Sequence, residues 1–265
     1  MLRSLFSAIS GLRANQTALD VTGNNIANSN TVGFKSSQTI FQDTLSQMLT
    51  AGGAPTANQG GTNPIQIGLG VQVGATNTSF TQGAPQTTGK ATDVMIQGDG
   101  FFVVNRNGEN LYTRSGAFNT DGLGRLVTVD GDLVQDVRGG PITIPTNDPT
   151  LKSYSIGPDG IVTGQFSTGP RQLGQIAIAD FNNPMGLERV GDTMFRETIS
   201  SGNAQVAAAG TGRRGLLMSG ALEMSNVDLA AEFTNLIVAQ RGFQANSRVI
   251  TTSDSVLEDL VNIKR

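Results

Sequence analysis

Leu5, Leu12, Leu19 and Ile26 stand seven residues apart near the start of the chain, and Leu229, Leu236, Phe243, Ile250 and Leu257 repeat that interval near its end. An α-helix drifts by only about 20° per heptad, so each set forms one slowly rotating apolar stripe. Both ends are therefore predicted to be helical. The first helix covers roughly the opening 25 to 30 residues. The second runs from a start signal at Ser225, with Asp228 three residues on, to Arg265 without an interrupting proline. Such a segment would reach roughly 60 Å.

The flanks of these stripes are mixed. Phe233 and Val261 fill outer turns of the second helix, whereas Gln240, Ser247 and Asp254 hold the equivalent places between them. A self-sufficient two-stranded coil prefers apolar residues there. A narrow apolar row with polar flanks suits partial burial against several neighbours. An ordinary helical hairpin inside one domain is the alternative. We expect the two ends to be poorly ordered in an isolated chain and to become helical on assembly, because one row buries little surface against the entropy of ordering a helix.

Between the ends the period changes to two. Ile65, Ile67, Leu69, Val71 and Val73 alternate with Gln66, Gly68, Gly70, Gln72 and Gly74, which predicts a half-buried strand or ribbon. Further strands are predicted over 94–104, 126–129, 142–144, 161–166 and 175–181, punctuated by Asp99-Gly100, Asn107-Gly108, Asp121-Gly122, Asp130-Gly131 and Asp159-Gly160. The stretch from Ala51 to Asn63 reads as a linker. The expected fold class is α+β: a discontinuous helical coiled-coil domain from residues 1–32 and 223–265, an extended connector over 33–90, and an antiparallel β-rich domain over 91–222.

Composition narrows the chemistry. The 265 residues contain no cysteine, histidine or tryptophan, only 15% are charged, and the net charge is −3. Without His or Cys there is no base for a serine or cysteine hydrolase and no zinc site built on those ligands. No cofactor or metal is expected. The basic residues form no cluster, so nucleic acid is not an expected partner. No stretch has the length of a membrane span, and residues 1–12 lack the continuous apolar core of a cleaved secretory signal. Asp130, Asp132 and Asp136 form the densest acidic group, the place a glycosidase would use, but two of them flank a turn glycine where Asp serves backbone hydrogen bonding. Gly83 to Ala91 resembles a phosphate loop only superficially, having five intervening residues, Pro85, and Ala91 where a hydroxyl should stand. The glycines between Gly68 and Gly74 lie in a strand, not at a strand-to-helix turn, so they do not make a dinucleotide fingerprint.

Several motifs carry a family resemblance. Gly23-Asn24-Asn25-Ile26-Ala27-Asn28 followed by Thr31-Val32-Gly33-Phe34-Lys35 resembles the N-terminal signature of the flagellar rod and hook proteins. Gly98-Asp99-Gly100-Phe101-Phe102 and Tyr112-Thr113-Arg114-Ser115-Gly116-Ala117-Phe118 resemble the family's β-domain motifs. The runs from Glu223 to Leu229 and from Ile237 to Asn246 are similar to hook proteins in particular. The resemblance implies a structural subunit, not an enzyme, exported unfolded through a type III apparatus without a cleaved signal. Outside the cell it would polymerise with copies of itself, next to rod, hook-cap and hook-filament junction proteins. The assembly rows would be Leu5, Leu12, Leu19 and Ile26, with Leu229, Phe233, Leu236, Phe243, Ile250, Leu257 and Val261. The family motif residues would be Asn24, Asn25, Asn28, Gly33 and Phe34, read either as helix termination or as contacts between subunits. The 23–28 and 237–241 stretches favour the curved hook; the straight distal rod is the alternative.

Overall fold

A computed structural model describes residues 2–55, 60–145 and 148–263. The fold is α+β. Helix α1 spans Leu2–Ala27, helix α2 spans Leu229–Ile263, and the strands between them pair antiparallel. Arg265 and residues 56–59 of the expected linker lie outside the described residues. The chain divides into two compact units, one of Met1–Ala27, Ser37–Thr78 and Asp228–Arg265, the other of Asn28–Ser36 and Ser79–Val227. Residues 37–78, read from the sequence as part of a connector, thus contribute strands to the helical unit.

In the helical unit α1 and α2 run antiparallel: Asn25 of α1 meets Glu232 of α2, and Gly11 meets Asn246. α2 begins later than the Ser225 signal suggests. Asp228 is its cap, its Oδ1 accepting from Ala230 N at 2.9 Å and Ala231 N at 3.3 Å. Ser225 instead closes a local turn, its Oγ accepting from Val227 N. With 35 residues, α2 is about 50 Å long.

Strand Ser37–Asp43 pairs with Val71–Thr78, and Ser46–Thr50 pairs with Ile65–Gly68. The alternating run from Ile65 to Val73 is therefore two strands, not one. Gly70 breaks it at φ +136°, a conformation closed to most side chains, and a Cβ there would collide with Ser10 Oγ. The Ile65–Gly68 strand is exposed along its whole length, so the expected half-burial fails for that part.

The β-rich unit is built on a sheet of nine strands among the described residues. Phe101–Arg106 lies at its centre, paired with Glu109–Thr113 on one side and with Ile178–Asp180 and Leu133–Val134 on the other. Side chains alternate along a strand, and here both faces are covered. Phe102 and Val104 join one core with Val94, Ile96, Leu111, Phe118 and Ile178, while Phe101 and Val103 join a second with Tyr112, Phe181 and Phe195. That double burial accounts for the unbroken apolar run Phe101-Phe102-Val103-Val104. The rings meet edge to face, Phe102 on Phe118 at 5.1 Å and Tyr112 on Phe181 at 4.8 Å. The expected single strand over 94–104 is broken by Gly98 and Gly100, both at positive φ. Leu151–Ile156, Ile161–Phe166 and Gly169–Gln175 form a three-stranded sheet whose Ile156 and Val162 pack into the first core.

Candidate assembly site

The two helices meet through small and polar residues. On α1 the deepest side chains are Ala8, Ala14, Thr22 and Asn25, and on α2 they are Glu232 and Ala239. Ala8 and Thr22 stand three residues after Leu5 and Leu19, and Glu232 and Ala239 three after Leu229 and Leu236. The apolar pattern points one position further, to Phe233, Gln240 and Ser247, for a companion row. The seam escapes that pattern because Ala, Thr, Asn and Glu carry no apolar signal. The alanines take up little room, while Asn25 and Glu232 are joined by a hydrogen bond across the helix pair.

The leucine rows are consequently only partly covered. Leu5, Leu12, Leu19, Ile26, Leu236, Ile250 and Leu257 are half-buried. Leu229, Phe233, Phe243 and Val261 are 44%, 52%, 38% and 69% exposed.

Asn25 explains part of the Gly23 to Asn28 motif. It is 1% exposed; its Oδ1 accepts from Ser37 N at 3.0 Å, and its Nδ2 donates to Ser37 O at 2.7 Å and Glu232 Oε1 at 3.1 Å. One side chain thus completes the backbone pairing of the first strand residue and ties α1 to the first turn of α2. Glu232 there also lies at the positive end of the helix dipole. Gly23 does not terminate α1, which continues to Ala27; Asn24 is exposed on the same helix. Asn28 makes the stop, its carbonyl accepting from Thr31 N and its Oδ1 from Thr31 Oγ1.

In the β-rich unit, Gly33, Phe34 and Lys35 form a second constellation. Gly33 has φ +69°, and a Cβ would lie 2.5 Å from Ser115 N, so backbone packs on backbone. Its own N–H donates to Glu223 O at 2.8 Å. Phe34 is buried under the Arg189 guanidinium, 5.2 Å from the ring centre. Lys35 Nζ donates to Glu223 Oε1 at 2.6 Å and to Thr81 O at 2.7 Å, while Gly83 N donates to the same carboxylate oxygen at 2.9 Å. Arg114 Nη1 lies 3.5 Å from Glu223 Oε2. Burial holds the Lys35 ammonium below its ordinary pKa, against the pull of Glu223, and burial likewise lowers that of Arg114. Asn226 adds a further tie, accepting from Ser36 N at 2.7 Å and donating to Ser79 O at 2.9 Å. Lys35, Glu223 and Arg114 belong to the family motifs, but nothing local in the sequence pairs them.

The acidic group is occupied structurally. Asp132 binds Arg106 in a forked pair at 2.8 to 3.1 Å, Asp192 approaches the same guanidinium at 3.1 Å, and Asp130 stands at 4.0 Å. Asp136 Oδ1 accepts from Val137 N and Gln175 N. These carboxylates brace turns around Arg106 and the end of a strand.

Three stretches match protein-family models. Residues 5–35 match "Flagella basal body rod protein", 95–164 match "Flagellar hook protein FlgE/F/G D1 domain", and 218–263 match "Flagellar basal body rod FlgEFG protein C-terminal". Over 267 aligned positions covering all of both chains, the sequence is 51% identical to flagellar basal-body rod protein FlgG of Bacillus subtilis. The chain belongs to the flagellar rod and hook protein family.

Within this flagellar rod and hook family, the FlgG rod protein of Caulobacter vibrioides is 40% identical over 97% of each chain. The hook protein FlgE of Borreliella burgdorferi is 30% identical across the whole of both chains, but over 442 aligned positions. Against 265 residues here, at least 177 of those positions (442 less 265) face no residue of this chain. The weighting toward the hook drawn from the 23–28 and 237–241 stretches is thereby corrected. Those stretches lie within segments that match rod-protein models, and the higher identities are to rod proteins.

Proposed function

We propose that this chain is a subunit of the distal rod of the flagellar basal body, where copies of it polymerise into a straight hollow tube that transmits torque. The observation that carries the reading is the close correspondence in length, 265 residues against a 267-position alignment with a FlgG rod protein at 51% identity. The surface of the helical unit supports self-assembly. Phe6, Phe233, Ile237, Val238 and Val261 on the helices are 67%, 52%, 49%, 65% and 69% exposed, large apolar side chains of the kind that neighbouring subunits would cover. Leu45, Met48, Leu49, Ile65 and Ile67 along the paired ribbon add to it. On this reading the leucine rows and Phe233, Phe243 and Val261 are completed by neighbouring subunits. The chain reaches the growing tip by type III export and joins rod neighbours below and hook subunits above.

The test is positional. Basal bodies purified from a strain carrying an epitope-tagged copy of this chain are labelled with gold and viewed by electron microscopy. Label on the straight segment beneath the hook is the expected result. Label confined to the curved segment would return the protein to the hook.

A further inference from the structure

α1 and α2 carry the same four-residue interval, Gly11 with Asn15 and Gly242 with Asn246. In the antiparallel pair the two intervals meet reciprocally. A Cβ on Gly11 would lie 2.7 Å from Asn246 Nδ2, and a Cβ on Gly242 would lie 2.9 Å from Asn15 Oδ1. Each asparagine thus fills the space left by the other helix's glycine. Asn15 is held for this role by its own helix, its Nδ2 donating to Gly11 O at 2.9 Å.

The leucine rows do not define this alignment. They recur every seven residues, so sliding α2 by one heptad superposes the rows again. The glycine and asparagine pairs do not recur. After a seven-residue slip Asn15 would meet Asn235 or Val249, and Gly11 would meet Ala239 or Ser253. After a four-residue slip Asn15 would meet Val238 or Asn246, and Gly11 would meet Gly242 or Ile250. Every alternative sets Asn15 against a side chain in place of a glycine, crowding the seam or stranding an amide against apolar surface.

We propose that Gly11, Asn15, Gly242 and Asn246 are the register-determining residues of the terminal helix pair. They specify one antiparallel alignment that the apolar heptads leave ambiguous. A polar residue at an otherwise packed position is a known physical means of choosing among registers that hydrophobic contact alone cannot separate. This inference concerns pairing within one chain and does not rest on the rod assignment.

The chain has no native cysteine, so introduced pairs report register directly. Ala8→Cys is combined in the full-length protein, assembled into polymer so that both ends are helical, with a second cysteine at Ala245, Val249, Ser253 or Val256. The yield of disulfides within single chains, separated by non-reducing denaturing electrophoresis, is compared after mild oxidation. The alignment of 11 with 246 places Ala8 opposite Val249. Crosslinking should favour 249 in the otherwise unchanged chain. Asn15→Gly and Gly242→Asn, separately, should abolish that preference and spread the yield over the other positions. The double variant Asn15→Gly/Gly242→Asn, which moves the side chain to the opposite helix, should restore it. Asn15→Ala, which keeps a strong helix former, should behave like Asn15→Gly. Absence of a preference for 249 in the unchanged chain, its survival in the single variants, or no recovery in the double variant would each overturn the proposal.

Discussion

Lys35 Nζ lies 2.6 Å from Glu223 Oε1, across 188 residues of sequence, with neither side chain exposed to water. Two cations, Lys35 and Arg114, share this one buried carboxylate. Removing a partner from such a site leaves a charge without compensation, a larger effect than the pair's own net stabilisation. Lys35→Met is expected to destabilise the β-rich unit by about 3 to 5 kcal/mol, and Glu223→Gln by more, since it strands both cations. Urea unfolding followed by tyrosine fluorescence measures both. Equal, sub-kilocalorie effects would show that the carboxylate is not the organising charge.

Gly33 and Gly23 lie ten residues apart and should respond oppositely to alanine. Gly33 has a positive φ and backbone 2.5 Å from the missing Cβ, so Gly33→Ala is expected to cost well over ~1 kcal/mol. Gly23 is inside α1, and a Cβ added to it would meet nothing within 4 Å, so Gly23→Ala should stabilise the helix by about 0.5 to 1 kcal/mol. Thermal melts read by circular dichroism at 222 nm, with urea unfolding for the β-rich unit, separate the two signs.

Asn25 satisfies both backbone groups of Ser37 and one oxygen of Glu232. Asn25→Ala leaves buried polar groups unpaired and is expected to cost about 2 to 4 kcal/mol, more than Asn24→Ala at its exposed neighbour. The readout is the loss of helical signal on heating. Equal effects at 24 and 25 would contradict the assigned bonding.

Tyr112 is pushed up to about 12, first by burial and then by the Glu197 carboxylate, whose Oε2 accepts its hydroxyl at 3.3 Å. The folded state therefore holds this proton more tightly than the unfolded chain, whose tyrosines titrate near 10. Its contribution to stability is fully present below pH ~10 and is lost as pH rises from there toward ~12. In a Tyr154→Phe background, absorbance at 295 nm follows Tyr112 alone, since the chain has two tyrosines. The midpoint should lie near 12 in the folded protein and fall with Glu197→Gln. A folded-state midpoint near 10 would remove the buried tyrosine from the account.

The apolar periods were legible in the sequence alone: seven at the ends, two in the middle, with Gly-containing turns between strands. Those patterns depend on neighbours a few residues apart, and α1, α2 and strands such as Ile161–Phe166 followed them, whereas the strand expected over 142–144 is only an isolated bridge of Thr143 to Arg125. What the local pattern left open was which face of each helix is sealed and which charges find each other. Ala8, Thr22, Glu232 and Ala239 form the helix seam although none has a strong apolar signature. Asp228, not Ser225, caps α2, while nearby Asn226 is committed to Ser36 and Ser79. Gly70 divides one apparent strand into two because Ser10 presses on it from a helix sixty residues earlier. Each of these was decided by a partner remote in sequence, and burial is a property of the pair. Periodicity names an element's kind, whereas only the folded chain supplies the surface that tells it which side to hide.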